Sequence, residues 1–137
     1  MLLAEYDFMA RTLWGEARGE PYAGKLAVAW VIRNRARNKH RKETTLAGVC
    51  TEPSQFSCWN FDDPNRAKME AIDYSDPHFC ECLRAALEVM HAPMEADPTH
   101  GAEYYHANWV DPYWARGKTA TATIGGHKFY LRKDIDG

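Results

Sequence analysis

Apolar positions recur at helical spacing near the start of the chain. Tyr6, Met9, Ala10, Leu13 and Ala17 lie mostly three or four apart, so they share one face of a helix. The pattern predicts an amphipathic helix over residues 5–18. Pro21 disfavours helical geometry at Glu20, so this helix ends by about there. The following segment, GKLAVAWVIRNRARNK, has another character. Its centre, LAVAWVI, is apolar on every side, as in a helix buried at the middle of a domain. Asn34 sits one turn beyond Trp30 and needs a buried hydrogen-bond partner there. Residues 43–62 are rich in turn formers and aromatics, and they predict loop.

Two helix starts follow. Asp63-Pro64 predicts a short helix with Asp as N-cap and Pro as the first helical residue. Ser75-Asp76-Pro77 repeats the device and opens a helix to about His91, which Pro93 stops. The pattern then changes. AEYYHA, residues 102–107, reads as a strand. TATATIGGHKFYLR alternates, turns at Gly125-Gly126 and returns, a β-hairpin signal. The chain therefore predicts an α+β domain, with a helical body and a small antiparallel sheet in the C-terminal third. No repeat or linker divides residues 1–137, which read as one domain.

Composition narrows the function classes. The net charge is −2, so no global field draws the chain to nucleic acid. The basic run RNRARNKHRK, residues 33–42, fits the cations that gather at a helix C-terminus. It would alternatively engage an anionic envelope. The longest apolar runs fall far short of the ~18 residues that span a bilayer, so no stable membrane association is expected. The N-terminal MLLAEYDFMA carries acids where a secretory signal has a basic region. Synthesis in a cytoplasm is the expectation. Cys50, Cys58, Cys80 and Cys82 lack a paired CxxC spacing. Those in HFCEC share a helical stripe with Phe79, Leu83 and Ala86, so buried reduced thiols are expected rather than zinc.

The chemistry centres on LWGEARGEP, residues 13–21. On a helix ending near residue 19, Glu16 lies one turn from Leu13, beside the apolar stripe. A carboxyl against an apolar wall is partly desolvated, which raises its pKa. A general acid for breaking a glycosidic bond needs that property. Gly15 and Gly19 would let a substrate approach the backbone. Glu20 stands at i+4, a spacing typical of solvated charge; it would point into a cleft, cap the next helix or bind a cation. Aromatic residues in polar surroundings supply ring faces for sugars: Trp59, Trp109, Trp114, Tyr104, Tyr105 and Tyr113. Gln55, Asn60 and Asn108 would bond hydroxyl or N-acetyl groups. Trp30, inside the apolar helix, fills the core instead.

Three blocks carry a family resemblance: ARTLWGEARGEPYAGKLAVAWVIRNR (10–35), SQFSCWN (54–60), and DPTHGAEYYHANW (97–109) with TATIGGHKFY (121–130). In this order they resemble the catalytic domain of the SleB/CwlJ-like cell wall hydrolases, the spore-cortex lytic enzymes and related phage endolysins. The resemblance implies a fold similar to lysozymes and lytic transglycosylases, and peptidoglycan glycan strands as substrate. It implies that Glu16 is the catalytic acid. Members of the spore-cortex type cleave between N-acetylmuramic acid and N-acetylglucosamine, leaving a 1,6-anhydro end. The expected substrate-binding residues are Glu20, Gln55, Ser57, Trp59, Asn60, Tyr104, Tyr105 and Trp109. No metal or cofactor is expected, and a monomer is the default for an enzyme that threads into a wall.

A single Glu suffices for transglycosylation, because the sugar's 6-hydroxyl attacks. A hydrolase needs a second carboxylate, for which Asp97, Glu103 and Asp111 are the candidates. Without a secretory signal, the chain fits a phage endolysin released through a membrane lesion. Three other readings compete. A zinc amidase would draw ligands from His78, His91, His100, His106 and His127, whose spacing matches no known set. A cysteine peptidase would use Cys58. A glycan-binding module would keep the aromatics and have no use for the acid.

Overall fold

The computed structural model describes residues 3–52 and 55–136. Pro53 and Ser54 of the expected loop lie outside the described residues, as do Met1, Leu2 and Gly137. The first apolar stripe forms α1, Leu3–Ala17, with Met9, Ala10, Leu13 and Ala17 buried. Pro21 then opens α2, Tyr22–Arg37. Every residue from Ala27 to Arg33 is buried, as an all-round apolar helix requires. It packs against α1, against α3 (Leu46–Thr51) and against α5 (Pro77–His91).

Residues 43–62, which the sequence predicts to be loop, contain α3 and a 3₁₀ turn at Ser57–Trp59. Thr45 caps α3, accepting from the Gly48 N–H at 3.0 Å. The helix exists because Leu46, Val49 and Cys50 bury against α1 and α2. Six residues are too few to show a period or to be helical alone. The later helix starts follow their signals. Asp76 accepts from Phe79 N–H at 3.0 Å, with Pro77 in the first turn of α5. Asp63 accepts from Asn65 N–H at 2.8 Å, and α4, Asn65–Ala71, begins one residue later than the sequence suggests.

The basic run is turned inward to a degree the sequence does not predict. Arg33 donates to the carbonyls of Val89 and Ala92 at the end of α5, each at 2.7 Å. Arg35 donates to the Glu103 carbonyl at 2.7 Å, and Arg41 pairs with the Glu103 carboxylate at 3.2 Å. These three arginines hold the fold, and only Arg37, Lys39, His40 and Lys42 are left exposed. Any contact of this run with an anionic envelope would rest on those four exposed residues.

Asn34 finds its partner in Asp97, at 2.9 Å, and also reaches the Ala102 carbonyl at 3.0 Å. Asp97 is itself a buried hub. Its carboxylate accepts from Thr99 N–H at 2.8 Å, Thr99 Oγ1 at 2.6 Å and Gly101 N–H at 2.8 Å. This knot anchors the polypeptide leading into the sheet.

The antiparallel sheet has the order β1-β3-β2, with β1 Tyr104–Ala107, β2 Ala122–Ile124 and β3 His127–Tyr130. The hairpin turns at Gly125-Gly126, where Gly125 has φ +57°, a conformation that favours glycine. Strand alternation sorts the aromatics. Tyr105, Phe129 and His127 share one face, with Tyr105 stacked on Phe129 and edge-on to His127. Tyr104, His106 and Tyr130 share the other, where Trp114 packs on all three. A short α6, Arg132–Ile135, follows. Among the described residues, no helix is long and apolar enough to cross a membrane.

Candidate active site

Glu16 occupies the last turn of α1 and meets the 3₁₀ turn that follows α3. One carboxylate oxygen, Oε1, lies 3.4 Å from the backbone N of Cys58. The approach depends on Gly15. A Cβ there would stand 2.6 Å from Cys58 Cβ and 2.8 Å from its Sγ, so any larger residue pushes the turn off α1. This corrects the expectation that Gly15 opens the backbone to substrate: Cys58 fills that space. Gly19 does face open space.

Burial raises the Glu16 pKa, because the charged form loses water. The backbone N–H and thiol of Cys58 oppose this by hydrogen bonding, and the charge of Asp63 adds to the rise. Tyr105 brings a phenol to the same neighbourhood from β1, and its own pKa is raised by burial and then by the Glu16 charge. The site thus holds a carboxyl kept ready to carry a proton, at the junction of α1, the 57–59 turn and the sheet.

Glu20 is committed elsewhere. Its Oε1 accepts from Gly126 N–H at 2.7 Å and lies 3.2 Å from His127 Nδ1. A Cβ on Gly125 would fall 2.6 Å from that oxygen, and one on Gly126 3.0 Å from Oε2. The Gly-Gly turn and Glu20 therefore fit as a lock, pinning the hairpin to the α1–α2 connection. Burial holds His127 below its ordinary pKa despite the Glu20 charge, so the ring is neutral at pH 7. Glu20 was expected among the substrate-binding residues; its acceptor capacity goes to the hairpin. Replacing it with Ala strands the Gly126 donor and is expected to cost about 2 kcal/mol, read as a lower Tm and faster hydrogen exchange at the Gly126 amide.

The remaining expected binding residues separate into groups. Gln55, Ser57 and Asn60 are exposed on the loop that carries Cys58. Trp109 is 80% exposed and its ring reaches the Gly126 turn. Trp59 instead wedges inward: its Nε1 donates to Thr12 Oγ1 at 2.8 Å and its ring packs on Phe8. Tyr104 and Tyr105 cannot serve one site, since adjacent strand residues face opposite ways. Tyr105 faces the Glu16 side, and Tyr104 bonds Asp136 at 2.9 Å on the other. Phe61, 94% exposed on the Cys58 loop, was not singled out by the sequence, although its place in an aromatic, turn-rich segment was a signal.

Two of the three candidate second carboxylates are buried and tied up. Asp97 is the buried hub described above. Glu103 accepts from Asn38 and Arg41. Asp111 is exposed and pairs with Arg116 at 3.1 Å. Asp63, which reads in sequence only as a helix cap, is the carboxylate whose charge acts on Glu16. Three of the four cysteines are buried and Cys80 is exposed. Burial pushes Cys50 and Cys82 up to about 12 and raises Cys58 as well. A thiol so disfavoured as thiolate is a poor nucleophile, which counts against the peptidase reading.

Residues 19–130 match the family model described as Cell Wall Hydrolase, and the chain belongs to that family. It is 34% identical over 126 residues to a spore cortex-lytic enzyme of Halalkalibacterium halodurans, covering 91% of this chain and 34% of that protein. It is 34% identical over 122 residues to a spore cortex-lytic enzyme of Bacillus subtilis, covering 88% of this chain and 35% of that protein. The chain thus spans about a third of the length of these curated relatives. Among solved structures, the catalytic domain of the germination-specific lytic transglycosylase SleB from Bacillus anthracis superposes with a TM-score of 0.75 at 28% identity, covering 94% of this chain and 95% of that one. The catalytic domain of Bacillus cereus SleB gives 0.70 at 28% identity, covering 91% and 88%. The fold is that of the SleB catalytic domain.

Proposed function

We propose that this domain cleaves the bond between N-acetylmuramic acid and N-acetylglucosamine in peptidoglycan as a lytic transglycosylase, with Glu16 as both acid and base. The observation that carries the reading is the setting of Glu16: a desolvated carboxyl with one oxygen engaged by Cys58, while Asp97 and Glu103 are buried and bonded elsewhere. Protonated Glu16 gives its proton to the glycosidic oxygen as the C1–O bond breaks. The carboxylate then takes the proton of the muramic 6-hydroxyl as that oxygen bonds to C1. The product is a 1,6-anhydro end, no water is consumed, and Glu16 returns to its protonated form. The family and the structural likeness to a lytic transglycosylase support this.

Glycan strands are the partner in this reading, and the acting species is a monomer. The setting we favour is a phage endolysin, made in the host cytoplasm and released to the wall at lysis. Exposed Trp109 and Phe61 would offer ring faces to the sugars. A hydrolytic reading has one observation in its favour, the proximity of Asp63, which would then activate water.

A one-carboxyl mechanism has a characteristic pH dependence. Activity on purified peptidoglycan is expected to fall as pH rises through a single ionisation above the ordinary carboxylate range, because Glu16 must start protonated and its pKa is raised. An additional acid limb, with the protein still folded, would indicate a second essential carboxylate.

A further inference from the structure

Trp109 is exposed, and so are its neighbours Asn108 and Val110. An aromatic ring on a loop binds a ligand well only where the fold holds it in place beforehand, since ordering it on binding costs free energy. Three hydrogen bonds tie the backbone beside Trp109 to the helix that carries Glu16. The Glu20 N–H donates to the Ala17 carbonyl at 2.9 Å, one residue beyond Glu16. The Gly126 N–H donates to Glu20 Oε1 at 2.7 Å. The Asn108 N–H donates to the Gly126 carbonyl at 2.8 Å, one residue before Trp109. The indole itself lies along the turn, since a Cβ on Gly126 would stand 3.5 Å from Trp109 Cζ3. We propose that Glu20 is the positioning residue for Trp109, holding the ring at a fixed place relative to Glu16 so that one pyranose of the glycan strand stacks on it during cleavage. This deepens the reading of the domain as a glycan-cleaving enzyme and rests on it.

Two of the three bonds join main-chain groups. The Glu20 carboxylate is the side-chain link in the path, and so the one that substitution can remove. It is closely fitted. A Cβ on Gly24 of α2 would stand 3.0 Å from Oε1, and His127 Nδ1 lies 3.2 Å away on the hairpin side. The carboxylate therefore sits between α2 and the turn, and its reach sets how far the hairpin stands from the α1–α2 connection. Trp109 moves with the hairpin through Asn108. A pyranose stacks the C–H groups of one face on an indole, an apolar contact whose worth depends on the ring lying at the right distance from the bond being broken.

The test is a double-mutant cycle in KM and kcat on soluble, uncross-linked glycan strands, with Glu20→Ala, Trp109→Ala and the pair, beside wild type and Glu16→Gln. Trp109→Ala is expected to raise KM about tenfold. Glu20→Ala is expected to raise KM about fivefold and to change kcat by less than about twofold, the pattern of lost binding rather than lost chemistry. The double variant is expected to be no worse than Trp109→Ala alone, because both changes remove the same contact. Glu20→Gln keeps an acceptor for the Gly126 N–H and is expected to recover most of the lost affinity. Glu20→Asp, one methylene short of Gly126, carries the same cycle should the alanine variant not fold. KM effects that multiply in the double variant, or an unchanged KM in either single one, overturn the positioning role, while an inactive Glu16→Gln leaves the underlying reading intact. An active Glu16→Gln overturns both.

Discussion

Glu16→Gln is expected to abolish glycan cleavage, by about 10³-fold or more, while the protein becomes slightly more stable. The two effects have one origin. Burial raises the Glu16 pKa above its ordinary 4.5. The native state therefore holds the proton more tightly than the unfolded chain does. Its advantage is complete below pH 4.5 and is lost as pH rises through the raised native value. At neutral pH the buried charge works against folding. Glutamine keeps the shape and can still accept from the Cys58 N–H, but it neither ionises nor donates an acidic proton. Loss of activity together with an unchanged or higher Tm, and a smaller loss of stability between pH 4 and 8, is the expected signature. Destabilisation with partial activity would mean that Glu16 serves mainly to join α1 to the 57–59 turn.

The largest stability effect is expected far from the acid. Asp97→Ala leaves Thr99 N–H, Gly101 N–H and the Thr99 hydroxyl without their acceptor, and Asn34 Nδ2 with only the Ala102 carbonyl. Each buried donor left unpaired costs about 1–3 kcal/mol. The terms are not additive, and ~3–5 kcal/mol in total is a large share of a domain's usual stability. A Tm lowered by about 10 °C or more should follow. Because the knot holds the chain that enters β1, the Tyr105 side of the site should loosen with it. Urea unfolding measures the loss directly. A change below about 1 kcal/mol would show that Asp97 is replaceable by water.

Local signals carried much of this fold. The α1 stripe, the all-apolar centre of α2, the Asp76-Pro77 start and the Gly125-Gly126 turn each act within a few residues, so a periodicity or capping rule detects them. The short α3 was hidden because its helicity comes from burying Leu46, Val49 and Cys50, a tertiary effect. The surroundings of the candidate acid were legible only in part. GEARGE marks Glu16, but that Cys58 and Asp63 surround it depends on contacts across more than forty residues. The spacing left the role of Glu20 open, and it was placed among the substrate-binding residues, because its partner, Gly126, lies at the far end of the chain. The division of Tyr104 from Tyr105 was available in the sequence, since a strand turns neighbouring side chains to opposite faces. The inward arginines were not, because only the packed structure shows that the end of α2 lies beneath α5 and Glu103.

The central claim is tested most directly by mass spectrometry of the muropeptides released from purified peptidoglycan. Products one water lighter than their reducing forms, and absent with Glu16→Gln, are the predicted result. Ordinary reducing ends would contradict the transglycosylase account and shift attention to Asp63 as the base for water. Intact glycan strands with severed peptides would contradict the role given to Glu16 altogether.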